Sequence, residues 1–209
     1  MSSEQGFNPA VTHNKMTLDE IPVIHRPLFL YIGIAVSDSF AHFMLGMMGF
    51  QRLEFKGTTY HYRAPASARE SGLPVTIFHG ICSGWIAYLS LIYEYCRDRN
   101  RPILLVDYPF ITMKMRFDVQ PPEVFVERVC GILEKHRIAR TAVVGHSYGT
   151  VLATWLVHAR PDVVAQLTLM DAVCLLLALP EVAYNFLHRP PKTLHEWVIF
   201  VLASREISI

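Results

Sequence analysis

The chain has 209 residues, and 19 Lys and Arg against 18 Asp and Glu give a formal net charge of +1. This balance argues against a nucleic-acid-binding module, which usually carries a basic excess, and 52% hydrophobic residues exclude disorder for most of the chain. The length fits one domain with a substantial core. Four cysteines without a CxxC pair predict buried, reduced thiols in an intracellular compartment rather than disulfides or a zinc site: Cys82, Cys96, Cys130 and Cys174.

The first 50 residues divide into a polar arm and an apolar segment. Residues 1–27 contain three prolines and lack the pattern of a cleavable signal peptide, so we expect a flexible arm. Residues 28–50 are long enough to span a bilayer, but Asp38 lies near the middle and shares a helical face with His42. Three interpretations of 28–50 stay open: a helix packed on the domain, a helix lying in a membrane interface, or a membrane span.

The pattern after residue 50 predicts an α/β fold. Residues 51–63 predict one or two exposed antiparallel strands, and short apolar runs then alternate with helical segments. This alternation predicts a mostly parallel sheet with helices on both faces and a core over residues 51–171. The predicted strands are 74–78, 103–106, 142–144 and 167–170, and the predicted helices are 84–97, 122–136 and 148–159. Residues 172–209 break the rhythm, with a further helix predicted at 192–204.

The strongest chemical signal is the sequence Gly145-His146-Ser147-Tyr148-Gly149, which follows an apolar run and opens a helix. In this strand–turn–helix setting the G-x-S-x-G pattern predicts a sharp turn that exposes the Ser147 hydroxyl. The flanking glycines fit a crowded turn in which a Cβ would clash, and the helix N-terminus favours negative charge on a reacting oxygen. The alternative is a serine in a tight turn without a catalytic role.

A second signal, Phe78-His79-Gly80-Ile81, stands at the end of the first predicted parallel strand. An acyl-transfer site needs two backbone N–H groups directed at the oxyanion. One comes from the residue after the nucleophile, here Tyr148, and Ile81 is the candidate for the other. Gly80 lets this loop approach closely, and the position of His79 favours packing of the loop over proton transfer.

These motifs resemble those of the α/β-hydrolase fold family over about residues 50–180. FHGICSGW resembles the family's HG oxyanion motif, LLVDYPF the segment after its next strand, and VVGHSYGTVLATWLVHARPDVVAQLTLMDAV its nucleophile elbow with the following helix and strand. Residues 175–205 resemble the start of a helical cap, so we expect 172–209 to be cap-like. The resemblance implies a Ser–acid–His triad with Ser147 as the nucleophile, and the serine excludes the branch with an aspartate nucleophile.

The resemblance places the nucleophile at Ser147 but does not place the base or the acid of the triad as clearly. The family's histidine follows the last strand of the sheet, whereas His158, His188 and His195 follow no further predicted strand. Asp171 comes directly after the strand 167–170 and is the candidate acid, against a capping or loop role, while Asp107 is interpreted as a structural loop residue. We expect the family's C-terminal strands, acid and base to lie beyond residue 209, and turnover by residues 1–209 to be low.

Two classes of function stay open. The first is a serine hydrolase of the esterase or lipase type acting on a small-molecule or lipid-like acyl substrate, which the apolar segments 28–50 and 172–179 favour. The second is a non-catalytic binding or membrane-associated protein on the same fold. Because the sequence has no metal-ligand spacing and no Gly-rich phosphate loop, we predict no metal and no cofactor. The net charge of +1 predicts no nucleic-acid partner.

Overall fold

The computed structural model describes residues 27–67, 72–81, 83–113, 120–175 and 179–204, so nearly all of the predicted arm 1–27 lies outside it. One sheet has the strand order β1-β2-β4-β3-β5-β6. Strand β2 pairs antiparallel with both β1 and β4. Strand β3 pairs in parallel with β4 and β5, and β5 pairs in parallel with β6. The strands are β1 (Gln51–Phe55), β2 (Thr58–Arg63), β3 (Val75–Phe78), β4 (Ile103–Val106), β5 (Thr141–His146) and β6 (Val164–Met170). The predicted α/β class with a mostly parallel sheet is confirmed.

The described part of the chain contains α1 (Leu28–Met47), α2 (Leu89–Cys96), α3 (Pro122–Lys135), α4 (Gly149–Ala159), α5 (Pro180–Leu187) and α6 (Leu194–Ile199). The predicted helix 84–97 is a 3-10 helix at Gly84–Tyr88 followed by α2, and its first residue, Gly84, has a φ of +81°. The predicted helix 192–204 is α6 followed by a π-helical turn over Phe200–Ser204. Thr193 caps α6 by accepting the Glu196 N–H at 3.2 Å.

Strand β4 is buried on both faces of the sheet. Leu104 and Val106 pack into a cluster with α3 and α4, whereas Ile103 and Leu105 pack into a second cluster with α1 and α2. Each face therefore needs apolar side chains, which explains the uninterrupted apolar sequence of this strand. Burial of one such side chain contributes about 1.5–3 kcal/mol.

Strand β2 is buried, so the prediction of exposed strands over 51–63 was wrong for this half of the hairpin. It lies between β1 and β4, and its two faces are both covered. Tyr60 packs into the α3 and α4 cluster, while the ring of His61 on the other face stacks on His42 of α1 with 4.9 Å between centroids. The covering groups are distant in sequence, which is why the local pattern did not reveal them.

Helix α1 packs on the domain through one face only. Ala41 and Leu45 are fully buried against the second cluster, and the Asp38 carboxylate lies 3.3 Å from His42 Nε2 on the largely covered side of the helix. By length and composition α1 could cross a membrane. Its other face is an apolar stripe of exposed side chains, called here the α1 stripe: Leu28, Phe29, Ile32, Val36, Phe40, Phe43 and Met47.

The described cysteines are free thiols. Cys130 is buried, as predicted, but Cys96 and Cys174 are half-buried, and Cys82 lies outside the described residues. Burial raises the pKa of the Cys96 and Cys130 thiols, so both favour the protonated, unreactive form.

Candidate active site

Ser147 occupies the turn between β5 and α4 with a φ of +51°, a left-handed conformation that residues other than glycine rarely adopt. Its N–H donates to the Met170 carbonyl of β6 at 2.9 Å. Its carbonyl accepts the Thr150 N–H at 2.9 Å and the Thr150 hydroxyl at 2.6 Å. Such backbone strain costs about 1–3 kcal/mol, so these hydrogen bonds are needed to hold it.

Three glycines make this turn sterically feasible. A Cβ on Gly145 would lie 2.6 Å from the Gly149 carbonyl oxygen, and a Cβ on Gly149 would lie 2.7 Å from the Phe78 carbonyl carbon. A Cβ on Gly80 would lie 2.7 Å from the Ser147 Cβ. No ordinary side chain fits at these distances, so the loop after β3 and the turn after β5 are in direct contact.

Two backbone donors are available beside Ser147. The Gly80 N–H donates to the Tyr88 hydroxyl at 2.8 Å. In contrast, the N–H groups of Ile81 and Tyr148 form no hydrogen bond with any residue that the structure describes. Ile81 follows Gly80 in the loop, and Tyr148 stands at the N-terminus of α4.

The side chains around the turn form a polar chain that the sequence did not reveal. The Tyr88 hydroxyl lies 2.7 Å from His146 Nδ1, and His146 Nε2 lies 3.1 Å from Asp171 Oδ2. Asp171, the candidate acid, follows β6 as predicted and has a φ of +46°. Its carboxylate is 83% exposed and contacts His146 rather than a histidine from a later segment. Tyr88 carried no motif signal, because its partners are far away in sequence.

His79 packs within the loop. It is buried, its Nδ1 donates to the Gly80 carbonyl at 2.9 Å, and its Nε2 accepts the Tyr108 N–H at 3.5 Å. Asp107 likewise contacts structural partners: it accepts the indole N–H of Trp85, and its Oδ1 lies 3.7 Å from His61 Nδ1.

The histidines that follow the turn do not reach Ser147. His158 lies in the last turn of α4, His188 follows α5 and stacks on Tyr184, and His195 lies in α6. Within the described ranges, none of the three forms a hydrogen bond with Ser147. Across these same ranges, no group of three or more His, Cys, Asp or Glu side chains could hold a metal ion.

An apolar cavity of about 430 Å³ adjoins Ser147. This volume lies within the usual range of small-molecule sites, about 300–1,000 Å³. Burial raises the pKa of the Tyr148 hydroxyl in its wall, so that hydroxyl stays protonated at neutral pH. The walls come from the loop after β3, the first turns of α4, and the segments from Val173 onward: Ile81, Ser147, Tyr148, Val151, Val173, Val182, Phe186, Leu187, Ile199 and Ala203.

A second cavity, of about 580 Å³, lies between the N-terminal half of α1 and the α6 region. It shares Ile81, Ile199 and Ala203 with the first cavity. These three residues therefore form a wall that the two cavities share.

The sheet order β1-β2-β4-β3-β5-β6, with β4, β3, β5 and β6 in parallel and helices packed on the sheet, is that of an α/β-hydrolase fold. A sequence model described as alpha/beta hydrolase fold matches residues 122–207. The chain therefore has the α/β-hydrolase fold.

Solved structures with this fold include a mutant of a candidate epoxide hydrolase from Pseudomonas aeruginosa, which is 16% identical with a TM-score of 0.50 over 71% of this chain and 53% of the other. Naproxen esterase from Bacillus subtilis is 10% identical with a TM-score of 0.49, over 64% and 48%. Epoxide hydrolase VrEH1 from Vigna radiata is 14% identical with a TM-score of 0.43, over 57% and 38%. At these low sequence identities the similarity shows only a shared fold. The chain spans about half the length of these proteins or less. No curated protein matches the sequence.

Proposed function

We propose that the protein is a serine hydrolase that cleaves an ester or related acyl bond with Ser147 as the nucleophile. The observation that carries this proposal is the left-handed Ser147 turn, beside which the Ile81 and Tyr148 N–H groups have no described partner. Such donors stabilise the oxyanion of a tetrahedral intermediate, and removal of one donor typically costs about 2.7–4 kcal/mol.

In the proposed reaction, Ser147 Oγ adds to the substrate carbonyl carbon while its proton passes to a base, and the carbonyl oxygen becomes the oxyanion. The intermediate collapses, the leaving alcohol takes the proton, and the acyl group stays on Ser147. Water then adds to the acyl carbon and releases the carboxylic acid. A serine at this position favours acyl chemistry over the reaction of the aspartate-nucleophile branch.

The cavity beside Ser147 supports an apolar acyl group as the substrate class. Its lining is aliphatic and aromatic apart from the hydroxyls of Ser147 and Tyr148. Each buried methylene contributes about 0.8 kcal/mol, which is about fourfold in an equilibrium or rate constant. Acylation by p-nitrophenyl esters should therefore speed up as the chain lengthens from two to eight carbons.

A non-catalytic binding protein is the second candidate. It is favoured by the absence of a histidine hydrogen-bonded to Ser147 among the described residues. For the same reason we propose that residues 1–209 by themselves turn over slowly, since loss of a triad base costs several orders of magnitude.

Covalent labelling separates the two candidates. A fluorophosphonate probe should still label Ser147 at a residual rate, because oxyanion donors and binding keep part of the catalysis when the base is missing. Peptide mass spectrometry should find this label in the wild type and in the control Ser39→Ala, which removes a hydroxyl that donates to the Ala35 carbonyl. Ser147→Ala should lose the label. A folded wild type that takes no label, or takes it at another serine, would refute the hydrolase and support a binding protein.

We also propose that α1 contacts a lipid surface through the α1 stripe and lies along that surface. Crossing the bilayer would pull Ala41 and Leu45 out of the core and expose the Asp38–His42 pair to lipid, where charge is costly. A helix that buries only its apolar face in the interface keeps both sets of contacts. The second cavity reaches Phe29 of the stripe and shares wall residues with the cavity beside Ser147, which favours a lipid-like substrate.

Sedimentation with phosphatidylcholine vesicles tests this contact. The double variant Ile32→Gln, Phe40→Gln should lose binding, while the control Leu167→Thr, which alters an exposed leucine on β6, should keep it. Equal binding by both variants would refute the proposal. Dimerisation that depends on the stripe, without vesicle binding, would also refute it and assign the stripe to a second copy of the chain.

A further inference from the structure

A chain of hydrogen bonds joins the loop after β3 to the end of β6 behind the Ser147 turn. The Gly80 N–H donates to Tyr88 Oη at 2.8 Å. Tyr88 Oη lies 2.7 Å from His146 Nδ1, and His146 Nε2 lies 3.1 Å from Asp171 Oδ2. These hydrogen bonds thus join three segments that are distant in sequence: residues 80–88, His146 and Asp171.

One assignment of protons satisfies every donor in this series of hydrogen bonds. The Tyr88 oxygen accepts the Gly80 N–H, so its single proton is available for His146 Nδ1. Nδ1 then carries no proton, and the ring proton is on Nε2, where the Asp171 carboxylate accepts it. Every donor in the chain meets an acceptor when His146 is the neutral Nε2–H tautomer.

This series of hydrogen bonds ends at Gly80, which precedes Ile81, the candidate oxyanion donor. Gly80 is held between Tyr88 and the turn, since a Cβ on it would lie 3.2 Å from Tyr88 Oη and 2.7 Å from the Ser147 Cβ. The bond to Tyr88 fixes the peptide between His79 and Gly80, which sets the position of Gly80. The next peptide contains the Gly80 carbonyl and the Ile81 N–H, and its carbonyl accepts His79 Nδ1 at 2.9 Å, so both peptides around Gly80 are constrained. The ring of Tyr88 is itself buried edge-on against Trp85 and His146, with centroids 6.0 and 5.5 Å away.

We propose that Tyr88 and His146 are positioning residues that orient the Ile81 N–H toward Ser147. In this assignment Asp171 is the outer anchor of the chain, which fixes the His146 tautomer, rather than the acid of the triad. The inference about Ile81 rests on the proposed hydrolase function, whereas the hydrogen-bond chain stands without it. A displacement of about 1 Å in an oxyanion donor is enough for a large loss of rate.

Two readouts on residues 1–209 test the proposal. Tyr88→Phe removes only the hydroxyl. Tyr60→Phe is a matched control, because Tyr60 makes a partly buried 3.0 Å hydrogen bond to a different imidazole, that of His136. The first readout is the rate of fluorophosphonate labelling at Ser147. We expect a loss of about tenfold or more for Tyr88→Phe and a change within about twofold for Tyr60→Phe.

The second readout is the nitrogen NMR signature of the His146 ring. Wild type should show the Nε2–H tautomer with Nδ1 accepting a hydrogen bond, and Tyr88→Phe should change the Nδ1 shift. His146→Gln, whose amide can accept from Tyr88 and donate to Asp171, should recover labelling relative to His146→Ala. Asp171→Asn retains a carbonyl acceptor for the Nε2–H and should keep the wild-type ring signature.

The outcomes separate this proposal from the hydrolase assignment. Labelling of Tyr88→Phe at the wild-type rate, or a ring signature unchanged by Tyr88→Phe, would overturn it. A wild type that takes no label refutes the hydrolase function, and with it the orientation of Ile81 for catalysis. In that case the ring signature still decides whether the hydrogen-bond chain exists.

Discussion

A methyl group added at Gly149 tests the crowding behind the serine turn. In Gly149→Ala the new Cβ would lie 2.7 Å from the Phe78 carbonyl carbon and 2.8 Å from the His79 carbonyl oxygen. Both neighbours are backbone atoms at the end of β3, so neither can turn aside as a flexible side chain would. Relief requires α4 and β3 to move apart, and overpacking of this kind typically costs about 1–3 kcal/mol and occasionally more.

The same change elsewhere in the chain supplies the control. Gly33 lies within α1 and has no atom within 4 Å of an added Cβ. Alanine there gains about 0.8–1.0 kcal/mol of helix propensity, so Gly33→Ala should be stabilising. Gly149 is the first residue of α4, where the gain in helix propensity is small. We therefore expect Gly149→Ala to lower the free energy of unfolding by about 2 kcal/mol or more.

Urea unfolding followed by circular dichroism measures both variants. A loss of about 2 kcal/mol multiplies the unfolded fraction by roughly 30, which is a clear shift of the midpoint at an unchanged slope. The reasoning would be refuted if both alanines shifted the midpoint in the same direction. It would also be refuted if Gly149→Ala kept wild-type stability, because the close approach of β3 and α4 would then be wrong.

Two further outcomes follow from the packing. Leu45→Ala removes a fully buried side chain of α1 and should lower the free energy of unfolding by about 2–5 kcal/mol. Met47 is 73% exposed on the same helix, so Met47→Ala should change this free energy by less than about 0.5 kcal/mol. Equal effects of the two variants in urea unfolding would contradict the packing of α1. Burial, with a smaller effect of Lys135, lowers the pKa of His136 below its usual 6.5, so the folded state binds this proton less readily than the unfolded chain. Stability from this group is therefore present above about pH 6.5 and is lost as the pH falls through the folded pKa. His136→Gln should reduce that loss between pH 7 and pH 5, and a wild type and variant with the same pH dependence would contradict this account.

The strands and helices around the serine could be predicted because their signals are local. The apolar run of β4 marks a strand buried on both faces, and G-x-S-x-G between an apolar run and a helix marks the turn at Ser147. Burial of β2 could not be predicted in this way. It depends on β4 and on His42 of α1, which no pattern within 51–63 can reveal.

The candidate site was predictable only in part, for a related reason. Ser147, Gly80 and Gly149 belong to motifs whose spacing is set by one turn or one close approach. The roles of Tyr88 and Asp171 depend on His146, which meets each of them only after β3, β5 and β6 have aligned. The cavity could not be predicted for the same reason, since its walls come from α4, α5 and the turn after α6, which meet only in the folded protein.

The hydrogen bond from the Ser147 N–H to the Met170 carbonyl also bears on the order of assembly. A chain made on the ribosome releases its N-terminal segments first, so the whole G-x-S-x-G motif emerges before β6 does. Without Met170, nothing from β6 restrains the left-handed backbone of the serine. We therefore expect a nascent chain halted before residue 170 to carry the complete motif while its serine remains inert toward the fluorophosphonate, so that reactivity is acquired late in synthesis.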